Sequence, residues 1–221
     1  MTQSNPVSKV QDLGEMGLRQ DRPLLIVDVD EVLGLFMQGF GDFLIGRGLE
    51  MRLERFALFQ NIFRPGESEH LDLAEGKAHF DDFFRYGCGD MVPAAGGAEA
   101  LAALADHAGI VILSNAPGQA RMARTRWLAR HGMDYPLILN SGPKGPLVSG
   151  LARQVRGPVV FIDDLLSNLS SVAEAAPEVH RFQHVADERL RPLAPADLQA
   201  HRRIDHWPDL HLAIHDIVRQ T

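Results

Sequence analysis

Short apolar runs recur along the chain, and each is about as long as a β-strand. They occupy residues 24–27, 110–113, 136–139, 159–162 and, less clearly, 179–185. Most of their residues are valine, isoleucine and leucine, without the apolar–polar alternation of a half-exposed strand. Continuous apolar strands are typical of a parallel sheet covered on both faces. The pattern therefore predicts an α/β protein with a Rossmann-like parallel sheet of about five strands.

Segments of helical length separate the last four runs, as a parallel sheet requires. Amphipathic spacing and end signals predict helices over residues 99–107, 119–131, 165–175 and 207–219. Glycines follow the first two of these, at positions 109 and 132, where a helix commonly ends. The order of strands and helices strengthens the α/β prediction.

The interval between the first apolar run and residue 99 breaks this rhythm. It has no clear strand. We predict helices over residues 50–63 and 71–86, with a turn between them at Pro65-Gly66 and an interruption of the second helix at Gly76. Nine of the eleven phenylalanines lie here: Phe36, Phe40, Phe43, Phe56, Phe59, Phe63, Phe80, Phe83 and Phe84. An insert placed directly after the first strand would cover the carboxyl ends of the strands, where open α/β sheets bind ligands.

These observations predict the domain organisation. The length of 221 residues suits one sizeable core with an inserted subdomain. We expect a partly disordered N-terminal lead over residues 1–22, an α/β core over 23–34 and 92–221, and a small α-helical cap over 35–91.

Charge and composition exclude several classes of protein. The formal net charge of −7 argues against a nucleic-acid partner, which usually meets a basic face. A single cysteine excludes a disulfide framework and a cysteine-based zinc site. No apolar run has the length of a membrane helix or the form of a signal-peptide core, so we expect a cytoplasmic protein without a membrane partner. The oligomeric state is not indicated.

Polar residues of a definite kind follow the apolar runs. In a parallel sheet the carboxyl ends of the strands share one edge, so these side chains should converge: Asp28 and Asp30, Ser114 and Asn115, Lys144, and Asp163 and Asp164. Four carboxylates in one crevice repel each other, and a divalent cation is the simplest way to keep them ionised. Hard oxygen ligands suit Mg²⁺, which leaves room for water and a phosphate.

Two further groups point to the reaction. Lys144, one of only three lysines in the chain, and the hydroxyl of Ser114 would supply positive charge and a hydrogen-bond donor to anionic oxygens. Acids, a metal, a hydroxyl and a lysine together predict a site for phosphoryl transfer.

The chain resembles the haloacid dehalogenase-like (HAD) hydrolase superfamily. The resemblance covers about residues 23–185 and rests on four motifs in order: D-x-D-x-V at Asp28, Asp30 and Val32, an apolar strand ending in Ser114, the lysine at 144, and FIDD at 161–164. The phenylalanine-rich insert stands where that superfamily has a C1-type cap.

The resemblance implies a role for each motif residue. Asp28 would be the nucleophile, forming an aspartyl-phosphate, and Asp30 the general acid and base. Phosphoryl oxygens would be held by Ser114, with Asn115 beside it, and by Lys144. Mg²⁺ would be held by Asp28, by the main-chain carbonyl of Asp30 and by Asp164, with Asp163 as the second choice. Two residues depart from the pattern: Asn168 replaces a frequent Asp, and Glu31, which has no assignable role, replaces a frequent Gly.

The predicted function is a Mg²⁺-dependent phosphomonoester hydrolase acting on a small phosphorylated metabolite. Dehalogenating members lack an acid two residues after the nucleophile, so Asp30 favours phosphate chemistry. The alternatives are a catalytically weak HAD-like binding or regulatory protein, a phosphotransferase, and a phosphonatase, for which Lys77 is the sole cap lysine. Five arginines of the insert could bind an anionic substrate or pair with Glu50, Glu54 and Asp82: Arg47, Arg52, Arg55, Arg64 and Arg85.

Overall fold

Six parallel strands form the central sheet in a computed structural model that describes residues 11–219. The strands are β1 (Leu24–Val27), β4 (Gly109–Ser114), β5 (Leu137–Leu139), β6 (Val159–Asp163), β7 (His180–Gln183) and β8 (Arg202–Arg203). Their order is β5-β4-β1-β6-β7-β8, with β1 between β4 and β6. The predicted Rossmann-like parallel sheet is confirmed. The short edge strand β8 and its pairing with β7 were not predicted.

Helices cover both faces of this sheet, because successive side chains of each buried strand point to opposite sides. Leu25 and Val27 pack with α3 (Gly97–Ala105), α4 (Arg121–Arg130) and α7 (Trp207–Val218). Leu24 and Ile26 pack on the other side with α5 (Gly145–Ala152) and α6 (Leu166–Ala175). Burial on both faces is the physical reason that the strands appear as continuous apolar runs. Helix α5 was not predicted.

The segment between β1 and α3 is an insert, which we define as residues 35–91. It contains α1 (Phe36–Ile45), a hairpin of β2 (Glu50–Met51) and β3 (Ile62–Phe63), and α2 (Leu73–Tyr86). The predicted helix over residues 50–63 is wrong. The buried side chain of Asn61 instead organises an irregular loop, donating to the carbonyl oxygens of Arg55 and Ala57 at 2.9 and 2.6 Å. A periodic apolar pattern does not reveal such a polar side chain at its centre.

The aromatic residues of the insert form one cluster around α1 and α2. The ring centroids of Phe80 and Phe84 are 4.8 Å apart, and those of Phe36 and Phe83 are 5.3 Å apart, both edge to face. Helix α2 is continuous, so the predicted interruption at Gly76 is wrong. A β-carbon at position 76 would lie 3.1 Å from Cδ1 of Phe59, so the glycine lets α2 pack closely against the loop before β3.

The two ends of the insert lie side by side. The amide of Leu35 donates to the carbonyl of Val92 at 2.9 Å, and the amide of Ala94 donates to the carbonyl of Leu33 at 2.8 Å. These bonds join the segments that enter and leave the insert at the carboxyl edge of β1. The cap is thereby anchored next to the acidic end of the first strand.

The predicted N-terminal lead falls partly outside the described residues, since positions 1–10 lie beyond them. In residues 11–22, Leu13 is buried and its amide donates to Oε1 of Gln154 at 2.9 Å. Within residues 11–219, every helix is too short or too polar to cross a membrane.

Candidate active site

Lys144 lies at the centre of the polar residues predicted to converge. Its Nζ is 2.6 Å from Oδ1 of Asp28 and 2.7 Å from Oδ2 of Asp163, and its side chain is 1% exposed. Burial alone lowers the pKa of Lys144, but the carboxylates of Asp163 and Asp28 outweigh it and raise that pKa above its ordinary value. The lysine is therefore charged, and it links the ends of β1 and β6.

A close contact between two helices sets the position of Lys144, which caps α5. The next residue, Gly145, donates its amide to Oγ of Ser171 on α6 at 3.1 Å. A β-carbon at position 145 would lie only 2.1 Å from the carbonyl oxygen of Ser171. Only glycine lets α5 approach α6 this closely, and this approach brings the lysine to the strand ends.

The two acids at the end of β6 have different surroundings. Asp163 is fully buried and accepts from Lys144 at 2.7 Å, from the amide of Leu165 at 3.0 Å and from Nδ2 of Asn168 at 3.0 Å. Among residues 11–219, no hydrogen bond or ion pair engages the carboxylate of Asp164, which lines a cavity. Asn168, in place of a frequent acid, thus holds Asp163 in position.

The acid cluster has the donor set and the charge of a divalent-cation site. Carboxylate oxygens of Asp28, Asp163 and Asp164 all lie within 4.8 Å of one another. Burial raises the pKa of Asp28 to about 7, Lys144 opposes this rise, and Asp163 and Asp30 add to it. Burial likewise raises the pKa of Asp164 well above its usual range. Such a cluster takes up either protons or a cation, and its hard oxygen donors fit Mg²⁺.

The end of β4 supplies Ser114, its last residue, and Asn115, which lies in the same cavity as Asp28 and Asp164. Ser114 is fully buried, and its Oγ accepts from the amide of Ala116 at 3.1 Å. Asn115 lines the cavity, and its side chain is held by Asn140 at 2.9 Å and by the carbonyl of Gly142 at 3.1 Å. Asn115 therefore lies at the cavity wall, whereas Ser114, also predicted to bind phosphate, is not among the described residues that line the cavity.

Arg124 on α4 is a site residue that the sequence reasoning missed. Its side chain is fully buried and forms an ion pair with Oδ1 of Asp30. Its guanidinium carbon also lies 5.3 Å from the ring centroid of Phe84, in the insert. The available signal was spacing: Arg124 shares the buried face of α4 with Trp127 and Leu128, three and four residues on.

Glu31 has an unusual backbone and a buried side chain. Its φ of 60° is the only positive value at a non-glycine position within residues 11–219. One carboxyl oxygen accepts from the amide of Met37 at 2.6 Å, in the first turn of α1, while Oε2 is buried without a hydrogen-bond partner. Burial raises the pKa of Glu31 to about 8. Glu31 therefore joins the loop after β1 to the first helix of the insert.

The left-handed backbone at Glu31 predicts a difference between two variants. Glu31→Ala and Glu31→Gly both remove the hydrogen bond to Met37, but only glycine adopts a positive φ without a β-carbon clash. We expect Glu31→Gly to be more stable than Glu31→Ala by about 1 kcal/mol, measured by urea denaturation. Equal stabilities, or a more stable alanine variant, would show that residue 31 is not strained.

A cavity of about 240 Å³ lies between the strand ends and the insert. The strand-end side supplies its polar groups: Asp28, Asp30, Glu31, Asn115, Lys144, Asp164 and Asn168. The insert supplies apolar side chains only: Phe36, Met37, Phe56, Ala57, Leu58, Phe80 and Phe84. Leu165 and Leu190 of the core complete the lining. The cavity has an acidic floor and an apolar roof.

Comparisons with known proteins bear on the fold. Neither models of protein families nor the sequences of curated proteins match this chain. Among solved structures, a protein assigned to the HAD hydrolases, YfnB from Bacillus subtilis with magnesium bound, has a TM-score of 0.59 at 11% identity, covering 89% of this chain and 99% of its own. An L-2-haloacid dehalogenase has a TM-score of 0.56 at 14% identity, and the match covers 88% of this chain and 99% of that one.

A HAD-superfamily hydrolase from Ehrlichia chaffeensis has a TM-score of 0.53 at 16% identity, and the match covers 90% of this chain and all of that one. The similarity thus extends over the core and the insert in proteins of very different sequence. Together with the parallel sheet and the insert after β1, it confirms the predicted architecture. The chain has the fold of the haloacid dehalogenase-like hydrolases.

Proposed function

We propose that this protein is a Mg²⁺-dependent phosphomonoester hydrolase acting on a small phosphorylated substrate. One observation carries the proposal: Asp28 lies on the cavity floor, ion-paired with the buried Lys144 and two residues before Asp30, which lines the same cavity. A nucleophilic carboxylate, an acid for the leaving group and a fixed cation are what phosphoryl transfer through a covalent intermediate needs.

In the first step Asp28 attacks phosphorus and the bond from phosphorus to the ester oxygen breaks. The leaving oxygen takes a proton from Asp30, giving an alcohol and an aspartyl-phosphate. Arg124 holds Oδ1 of Asp30 from the side of α4, so Oδ2 is the oxygen left for this proton. Lys144 offsets negative charge on Asp28 and the phosphoryl oxygens, and Asn115 supplies a further polar group at the cavity.

In the second step the same groups act in reverse order. Asp30, now deprotonated, removes a proton from a water molecule, whose oxygen attacks phosphorus and releases inorganic phosphate and free Asp28. The apolar roof limits the water that reaches the intermediate. Both steps use the same two carboxyl groups, so the enzyme returns to its starting protonation state.

The metal would be held by Asp28 and Asp164. Both carboxylates line the cavity, whereas Asp163 is engaged by Lys144, Asn168 and the amide of Leu165. Asp164 is therefore our choice for the direct ligand at the end of β6, with Asp163 placing Lys144. When bound there, Mg²⁺ would offset the charge of the carboxylates and the phosphoryl oxygens. Magnesium bound to YfnB, which has the same fold, supports this choice of ion.

Dehalogenation is the competing reaction, since an L-2-haloacid dehalogenase also has this fold. A halide leaves without a proton, whereas an alkoxide needs one, and Asp30 at the cavity supplies it. A phosphonatase would need a lysine amine that reaches the cavity from the insert, and the exposed Lys77 does not line it. Lys144, the lysine that does line it, belongs to the core and is paired with Asp28 and Asp163. A phosphotransferase shares the first step and differs in whether water or an alcohol accepts the phosphoryl group.

The test is hydrolysis of 4-nitrophenyl phosphate by the purified chain, followed through both nitrophenol and inorganic phosphate. We expect turnover with Mg²⁺, loss of turnover with a chelator, and recovery when Mg²⁺ is returned. Asp28→Asn prepared in the same way controls for contaminating phosphatases. Activity equal to that control would refute the enzyme, and full activity in chelator would refute the role of the metal.

A further inference from the structure

We propose that the natural substrate is the phosphate ester of a small apolar alcohol or phenol that carries no second anionic group. This inference rests on the proposed phosphatase activity and names the substrate class of the same site. The strand-end groups would bind the phosphoryl part of the ester. The rest of the cavity therefore determines which leaving group fits.

The roof of the cavity is apolar. All seven cavity residues of the insert are apolar, and three of them, Phe36, Phe80 and Phe84, belong to the interlocked aromatic cluster. A leaving group with several hydroxyls would lose its water against this surface and gain no hydrogen bonds, at a cost of about 1–3 kcal/mol for each buried unpaired group. An apolar leaving group instead gains free energy in proportion to the area it buries.

The cavity has few cationic side chains. Among the described residues, four carboxyl groups line the cavity, those of Asp28, Asp30, Glu31 and Asp164, and the ammonium of Lys144 is the one cationic group there. That ammonium is already shared by Asp28 and Asp163. Arg124, the other buried cation near the floor, is fully buried and paired with Asp30. A second phosphate or carboxylate on the substrate would therefore find no uncommitted cationic side chain among the described residues that line the cavity.

The arginines of the insert do not supply the missing charge, although the sequence allowed them to bind an anionic substrate. The structure uses them elsewhere: Arg52 pairs with Glu50, Arg55 with Glu54, Arg64 with Glu75 and Arg85 with Asp82, while Arg47 lies over the ring of Phe43. None is among the described residues that line the cavity. The insert thus presents its charges to solvent and its apolar side chains to the substrate.

The volume of the cavity limits the size of the leaving group. The cavity of about 240 Å³ is below the range of roughly 300–1,000 Å³ that is usual for drug-sized ligands. Part of it must hold the phosphoryl group next to Asp28 and Lys144. What remains under the roof suits one ring or a short alkyl chain.

Two matched pairs of esters test the inference by comparing kcat/KM with Mg²⁺ present. Cyclohexylmethyl phosphate and glucose 6-phosphate have similar shapes and differ in their hydroxyls and ring oxygen, and we expect the first to be preferred at least about 100-fold. Benzyl phosphate and its 4-carboxylate differ by one anionic group, and we expect the same direction with at least about 10-fold preference.

The outcomes separate the inference from the function on which it rests. Preference for glucose 6-phosphate, or equal use of the two benzyl esters, would overturn the substrate class and leave a phosphatase. Absence of turnover with every ester, including 4-nitrophenyl phosphate, would overturn the proposed function and the inference with it. Preference for both apolar, singly charged esters supports both.

A substitution in the roof gives a second test. Ala57 lines the cavity from the loop before β3, and Ala57→Arg would add the missing cation, whereas Ala57→Met adds similar bulk without charge. We expect Ala57→Arg to shift the ratio of kcat/KM for the 4-carboxylate over benzyl phosphate upwards about 10-fold relative to Ala57→Met. The same ratio in both variants would show that charge in the roof does not determine selectivity.

Discussion

Replacement of Asp28 by asparagine is expected to reduce turnover of 4-nitrophenyl phosphate by at least about 10⁴-fold, because removing the proposed nucleophile eliminates the covalent route rather than weakening it. The amide has nearly the same shape as the carboxylate, and Lys144 keeps its second partner, Asp163, at 2.7 Å. The variant should therefore fold and still bind substrate. Initial rates with Mg²⁺, together with the circular dichroism spectrum, check this expectation.

The matched control is Asp90→Asn, the same substitution at an exposed acid that does not line the cavity. It should retain the rate of the unsubstituted protein within about twofold, since surface substitutions change stability by at most about 0.5 kcal/mol. A rate for Asp28→Asn within tenfold of the control would exclude Asp28 as the nucleophile and would require another group to attack phosphorus.

Replacement of Lys144 by methionine is expected to lower the free energy of unfolding by about 3–5 kcal/mol, the usual effect of removing one partner from a buried ion pair. Methionine keeps the length of the side chain, so the loss is mainly that of charge. Asp28 and Asp163 would remain in the same buried space without their common cation. Urea denaturation in the presence of a chelator measures this effect without compensation by a metal.

Lys77→Met is the control for this second prediction, because Lys77 is exposed on α2 and makes no contact with the acid cluster. We expect it to change stability by less than about 0.5 kcal/mol. If Lys144→Met costs less than about 1 kcal/mol, the lysine is not the main compensation for the buried carboxylates.

The sheet could be predicted from the sequence because a parallel strand buried on both faces leaves an unbroken apolar run. The site followed from the same pattern, since the carboxyl ends of β1, β4 and β6 meet at one edge and carry the polar residues there. Both inferences depend on a regular relation between chain position and space. That relation holds for strands and for the residues directly after them.

The parts that could not be predicted lack such a relation. The loop around Asn61 replaces a predicted helix because one side chain bonds three backbone groups, which no periodicity expresses. Arg124 was overlooked because an arginine in an arginine-rich helix is ordinarily exposed, whereas this one is fully buried against Asp30. The role of Glu31 depends on its positive φ, and glutamate rarely adopts that backbone.

The adjacent ends of the insert have a consequence for how proteins with this chain path diversify. Because Leu35 and Val92 are hydrogen-bonded neighbours, the segment between them begins and ends at the same place in the structure. A segment of another length or sequence could replace it while β1 and its aspartates keep their places in the sheet. Under the proposed function, changes confined to this one stretch are therefore expected to alter which substrate binds without moving Asp28 and Asp30.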